Sequence, residues 1–157
     1  MAIWLSPTSY SDPDSAWTNE ANAYDDDTST YAGSSGTIYG ANHYLELNRG
    51  GAELSCGSCR IYANRGGSDN DPDIDIDFYY DDAWNNIFSG TITKNTWVTK
   101  ANAVGTKLVT KARIKWNING MGSFAYLYEF DFGGGKRQLV NFTGRTINDF
   151  TGRTLNP

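Results

Sequence analysis

Asp73-Ile-Asp-Ile-Asp-Phe-Tyr-Tyr-Asp81 is the stretch that decides the fold class. Its apolar side chains recur at every second position, so an extended chain puts Ile74, Ile76, Phe78 and Tyr80 on one face and Asp73, Asp75, Asp77, Tyr79 and Asp81 on the other. The stretch predicts a strand with one buried and one solvated face. Ala112-Arg-Ile-Lys-Trp116 alternates in the same way, with Arg113 and Lys115 outward. Further strands are predicted over 44–47, 59–63, 91–93, 97–100 and 125–132, separated by clusters such as Arg65-Gly-Gly-Ser-Asp-Asn-Asp-Pro72 that have the chemistry of loops. Helical spacing is confined to Trp17, Ala21 and Tyr24, which predicts a short helical turn over 14–23 capped by Asp14. Many short strands with so little helix predict an all-β protein, an antiparallel β-sandwich of jelly-roll type.

The 157 residues fit one domain, and an aromatic content of 14% supplies large side chains for its core. No run approaches the roughly 18 to 20 apolar residues that span a bilayer, which argues against a membrane partner. The start, Met1-Ala-Ile-Trp-Leu-Ser-Pro7, has neither a basic nor an apolar leader region, so the expectation is a protein made in the cytoplasm without a signal peptide. The net charge of -5 is unevenly spread: 15 of the 18 acidic residues fall in 1–90, and 10 of the 13 basic ones follow. Either these charges coat solvated strand faces, or the acidic part of one copy packs on the basic part of the next. Nucleic acid is a poor partner for an acidic domain with no dense basic run.

Cys56 and Cys59 are the only cysteines, and His43 is the only histidine. Zinc would lack ligands, and a thioredoxin-like redox pair should open a helix, whereas this one leads into a strand. Two reduced thiols near a turn, or a local disulfide, remain. The run from Asp69 fails as an EF-hand, with Ile74 and Tyr80 where Gly and Glu are needed. No nucleophile elbow or phosphate loop is present, so catalysis is not expected.

Gly133-Gly-Gly135 reads as a hinge closing a domain over 1–132. Beyond it, Phe142-Thr-Gly-Arg-Thr-Ile-Asn148 recurs as Phe150-Thr-Gly-Arg-Thr-Leu-Asn156. Two short repeats cannot build a core alone. Residues 136–157 are therefore expected to be an extended arm that docks through Phe142, Arg145, Ile147, Phe150, Arg153 and Leu155, on another subunit or on its own sheet.

Asn22-Ala-Tyr-Asp-Asp-Asp-Thr-Ser-Thr-Tyr31 resembles the signature loop of the discoidin-like, galactose-binding-like (coagulation-factor type C) jelly rolls. Tyr44-Leu-Glu-Leu47, Asp81-Asp-Ala-Trp84, Ala112-Arg-Ile114 and Tyr126-Leu-Tyr-Glu-Phe130 resemble further pieces of that family in the same order. The resemblance covers residues 10 to 132. It implies a structural calcium ion held by the Asn22 carbonyl, the Asp25 side chain, the Asp27 carbonyl, Thr30 and the Glu129 carboxylate, with the Tyr128 carbonyl adjacent. Calcium accepts such mixed oxygen ligands. Asp26 stands where the family has Gly, a place that needs a residue tolerant of the left-handed conformation. The fold class further implies ligand contacts in loops at one end of the sandwich, for which Tyr39, Asn42, His43 and Trp84 are the candidates.

Three functions follow. The leading expectation is a non-catalytic structural protein that docks to copies of itself or to another component of an assembly, because a jelly roll with such an arm resembles decoration and tail proteins of tailed-bacteriophage virions. The alternative is a carbohydrate-binding module that adheres to glycans. An enzyme is a distant third.

Overall fold

The computed structural model describes residues 3–34, 43–51, 53–67, 70–117 and 124–134, together with the backbone of 147–148 and 154–155. Along the chain the strands are β1 (Ile3–Leu5), β2 (Ser9–Ser11), β3 (Trp17–Thr18), β4 (Ala32–Ser34), β5 (Leu45–Asn48), β6 (Leu54–Gly66) and β7 (Asp73–Tyr80). They continue as β8 (Ala83–Thr91), β9 (Trp97–Ala101), β10 (Lys107–Val109), β11 (Lys111–Trp116), β12 (Phe124–Gly134), β13 (Ile147–Asn148) and β14 (Thr154–Leu155). Two antiparallel sheets form the sandwich. One has the order β2-β5-β11-β7-β8; the other runs β10-β6-β12-β4-β3, with β9 also on β6 and β1 also on β12. The all-β jelly-roll expectation is met.

The alternation in β7 does what its sequence requires: Ile74, Ile76 and Phe78 are fully buried and Tyr80 is 8% exposed. They meet Ile114 and Trp116 of β11, Leu45 and Leu47 of β5, and Ile61, Leu127, Phe130 and Phe132 of the facing sheet in one core. Between β7 and β8 the chain reverses at Asp81 and Asp82, both with positive φ (51° and 58°). That is the primed two-residue turn whose twist suits a hairpin.

Several expectations need correction. The helical turn over 14–23 is only a 3-10 turn at Glu20–Ala23, while Trp17 lies in β3 with its ring edge-on to Trp116 at 5.5 Å. Asp14 caps nothing there; it is Asp12 whose carboxylate accepts the Ala16 and Trp17 N–H groups. Of the strand expected over 91–93 only Thr91 is extended, as the last residue of β8, whose earlier part the polar run Asn85-Asn86 conceals from a reading of hydrophobic period. Cys56 and Cys59 are free, buried thiols inside β6 rather than beside a turn. Burial raises the Cys56 thiol to about 11 and pushes Cys59 up further, so both stay protonated.

The triglycine reading also changes. Gly133 and Gly134 are the last residues of β12, paired with Trp4 and Ile3 on one side and with Ser58 and Cys56 on the other. A Cβ at Gly133 would lie 2.1 Å from Ser58 Oγ and 2.8 Å from the Trp4 ring, so close packing accounts for glycine there. Gly135 lies outside the described residues, as do Phe142, Arg145, Phe150, Arg153 and the side chains of Ile147 and Leu155. The two repeats are paired in backbone register, Ile147 opposite Leu155 and Asn148 opposite Thr154.

The uneven charge is partly settled within one chain, because β7 and β11 are neighbours. Asp77 faces Arg113 and Asp75 faces Lys115 across the ladder, with N···O distances of 2.7 and 2.9 Å. Asp77 is only 6% exposed, and it also accepts from Asn86 Nδ2 at 2.8 Å. The face expected to be solvated is thus a packed ionic layer. Losing one partner of such a pair strands the other charge. Asp77→Ala should lower stability by about 3 kcal/mol in urea unfolding, and a loss within 0.5 kcal/mol, the scale of an ordinary surface change, would mean that the layer is solvated after all.

Candidate functional site

The loop between β3 and β4 carries the acidic run. Asp26 takes φ 63°, the left-handed conformation its position requires. Asp25 organises the turn, its Oδ1 accepting the Asp27 N–H at 3.0 Å and its Oδ2 accepting the Thr30 hydroxyl at 2.7 Å. Asp27 turns its carboxylate to Ser29, whose N–H and hydroxyl donate at 2.8 and 2.6 Å and hold it below the usual carboxylate range. The Asn22 side-chain amide donates to the Tyr31 carbonyl at 3.3 Å.

Glu129 reaches this loop from β12. Its Oε1 accepts the Asp27 N–H at 2.7 Å, whereas its Oε2 is buried with no hydrogen-bond partner. Glu129 is 2% exposed; burial first, and then the Asp25 carboxyl beside it, raises its pKa to about 8. Among the described residues no three His, Cys, Asp or Glu side chains converge on a metal position. What the loop offers instead is two adjacent carboxyl groups with one orphaned oxygen, a donor set that a hard cation would suit once backbone carbonyls completed it.

The other candidates are dispersed. Tyr39 and Asn42 lie outside the described residues. His43 Nδ1 sits 3.6 Å from Asp14 Oδ2. Trp84 lies on β8, edge-on to Tyr79 at 5.2 Å. The Arg113 guanidinium lies 4.5 Å from the Trp84 ring and 4.0 Å from that of Tyr44, so Trp84 is held within the ionic layer. Two strands, β11 and β7, separate it from β5.

A larger arrangement covers the outer face of the seven-stranded sheet. Phe124, Tyr126, Tyr31, Tyr128, Tyr62 and Trp97 form an unbroken path of rings with successive centroids 6.4, 4.4, 5.5, 5.5 and 5.8 Å apart. Two of the rings lie down over glycines. A Cβ at Gly66 would be 2.4 Å from the Tyr126 ring, and one at Gly33 would be 3.1 Å from the Tyr31 ring. Tyr31 and Trp97 are 38% and 39% exposed. At the Trp97 end the Arg60 guanidinium lies 4.1 Å from the Trp97 ring and 5.1 Å from that of Trp4, fixed by Asp131 Oδ2 at 2.7 Å. Sequence reasoning missed this surface because it treats outward positions as polar. The available signal was Phe124, Tyr126 and Tyr128 at alternate positions opposite Ala125 and Leu127, a strand apolar on both faces.

No family model matches the chain, and no curated protein matches it in sequence. Solved structures do match in fold. Truncated AlyQ with CBM32 and alginate lyase domains superposes with a TM-score of 0.65 at 14% identity, over 87% of this chain and 34% of that one. The present chain thus spans about a third of that protein. CBM32-1 from a family 31 glycoside hydrolase of Clostridium perfringens matches with a TM-score of 0.64 at 13% identity, over 82% of this chain and 96% of that one. The family 32 carbohydrate-binding module of Clostridium perfringens NanJ, solved with galactose, gives 0.58 at 19%, over 84% and 91%. At these identities the likeness establishes the fold.

A carboxyl group whose folded pKa is raised holds a proton that the unfolded chain releases, so its stability contribution is intact below about pH 4.5 and is lost as pH climbs to about 8. In calcium-free buffer the melting temperature should fall across that window, and Glu129→Gln should flatten the fall. An equal slope in both proteins would contradict the assignment.

Proposed function

We propose that this chain is a non-catalytic carbohydrate-binding module whose contact surface is the aromatic path on the seven-stranded sheet. The carrying observation is that Tyr31 and Tyr126 pack closely over Gly33 and Gly66, on a ring path that ends at the exposed Trp97. Fully burying a large apolar side chain is worth about 1.5–3 kcal/mol. A row of rings only partly covered on the outer face forgoes part of that gain, and contiguous apolar surface of this kind marks an interaction site. A ring face is electronegative and attracts polarised C–H groups, which line the faces of a pyranose. Four of the six rings are tyrosines, so hydroxyl groups lie beside the stacking faces, ready to pair with sugar hydroxyls. This matches the amphipathic character of a sugar better than that of a purely apolar partner.

The structural neighbours described above carry carbohydrate-binding modules, which supports this reading over a virion component. Calcium has a supporting part in the proposal. Asp25 and Glu129 would hold it with their carboxylates, aided by Thr30 and the carbonyls of Asn22 and Asp27. The ion would fix the loop that ends in Tyr31, and so one ring of the platform. Calcium would also take up the orphaned Glu129 oxygen and favour the ionised carboxyl.

On a glycan array the full chain should bind selectively, and Trp97→Ala should weaken the best signal by about 2 kcal/mol, the scale of an aromatic hot spot. Trp84→Ala should leave it within about threefold, or roughly 0.7 kcal/mol. Loss with Trp84 and retention with Trp97 would place the sugar elsewhere. Calcium at pH 8 should raise the melting temperature of the wild type and not that of Glu129→Gln; equal responses would remove calcium from this loop.

A further inference from the structure

We infer that the surface takes the body of an extended, uncharged glycan chain with equatorial linkages, of the β-1,4 type, rather than a single terminal sugar. This rests on the carbohydrate-binding reading and specifies its ligand. Three observations carry it. First, the ring path is continuous and crosses the sheet from β12 through β6 to β9, with no step wider than 6.4 Å. One sugar would cover only part of it and leave the remaining rings wet. Neighbouring units of one chain stack in succession, each later contact being made at high effective concentration.

Second, the surface is open, and one end of it is laid flat. Tyr126 and Phe124 are nearly parallel, with an interplanar angle of 4°, and Tyr126 reclines over Gly66 instead of standing up from the sheet. Farther along, successive rings turn by 39°, 65°, 87° and 68°, an open stepped strip that fits a twisting chain whose equatorial linkages leave its C–H faces exposed, whereas a terminal sugar is held by walls.

Third, the charges select against acidic chains. Among the described residues, the cation placed over Trp97, Arg60, is neutralised by Asp131 at 2.7 Å. Midway along the path, Tyr31 lies four residues after Asp27, at the end of the exposed acidic run of Asp25, Asp26 and Asp27. A uronate or sulfated chain lying on Tyr31 would meet like charge there.

Gly66 becomes a positioning residue for this ligand. Its φ is not in the left-handed range, so alanine fits the backbone, but its Cβ must push the Tyr126 ring off the sheet.

The test is calorimetric titration of the full chain with cello-oligosaccharides and N-acetylchito-oligosaccharides from disaccharide to hexasaccharide. Glucose, galactose and polygalacturonate serve as comparators. In at least one neutral series, affinity should rise by about tenfold or more from disaccharide to hexasaccharide, with no measurable binding of the monosaccharides or of polygalacturonate. Gly66→Ala and Trp97→Ala should each lower hexasaccharide affinity by about tenfold, with melting temperature near wild type for Trp97→Ala. Galactose bound as tightly as any hexasaccharide would overturn the chain-binding inference while leaving the carbohydrate reading standing. No binding to these probes or to any glycan on the array would overturn both. A full chain that dimerises in sedimentation, and that Trp97→Ala returns to monomer, would show the surface occupied by a second copy and overturn the inference as well.

Discussion

The pairing of β6 with β12 is the constraint on which the rest of the molecule depends. These are the longest strands, and every other strand of their sheet except β3 pairs directly with one of them: β9 and β10 on β6, β1 and β4 on β12. Because side chains alternate along each strand, this one ladder sorts the molecule into two faces. Ile61 and Ala63 of β6 and Ala125, Leu127, Phe130 and Phe132 of β12 go inward and are fully buried. Tyr62, Tyr126 and Tyr128 go outward and become the ring path. Core and ring path are two sides of the same registration.

The irregularity in that ladder connects the platform to the acidic loop. The register jumps between Leu127 opposite Ala63 and Glu129 opposite Tyr62, which leaves Tyr128 as the extra residue of a β-bulge. A bulge re-aims side chains locally. Here it allows Tyr128 to join Tyr31 and Tyr62 while Glu129 reaches the Asp27 N–H. The loop that Glu129 braces leads straight into Tyr31. The Glu129 carboxyl and the ring geometry at Tyr31 are therefore joined through a few residues of backbone.

Much of this was legible wherever one face of a strand is apolar and the other charged. Ile74, Ile76 and Phe78 announced β7, and Ala112, Ile114 and Trp116 announced β11. Their partnership was not legible, because pairing Asp77 with Arg113 needs a register that no single strand contains. β8 escaped notice because an edge strand has few apolar demands, and Asn85, Asn86 and Gly90 resemble loop chemistry. Trp17 was misplaced because its spacing to Ala21 and Tyr24 mimics a helical face over one short turn. Of the candidate site, Asp26 is left-handed as its place in the loop implied, and Asp25, Thr30 and Glu129, expected as calcium ligands, belong to one hydrogen-bonded loop. The platform was not foreseen, since Gly33 and Gly66 matter only through the rings laid across them, and that contact is long-range.

The most direct measurement of the central claim is a map of backbone and indole resonances as a neutral oligosaccharide is added to the full chain. The account predicts shifts centred on Tyr31, Tyr62, Trp97 and Tyr126, including the Trp97 indole N–H, with the Trp84 indole unmoved. Shifts centred instead on His43 and Trp84, with the Trp97 signal unmoved, would contradict it.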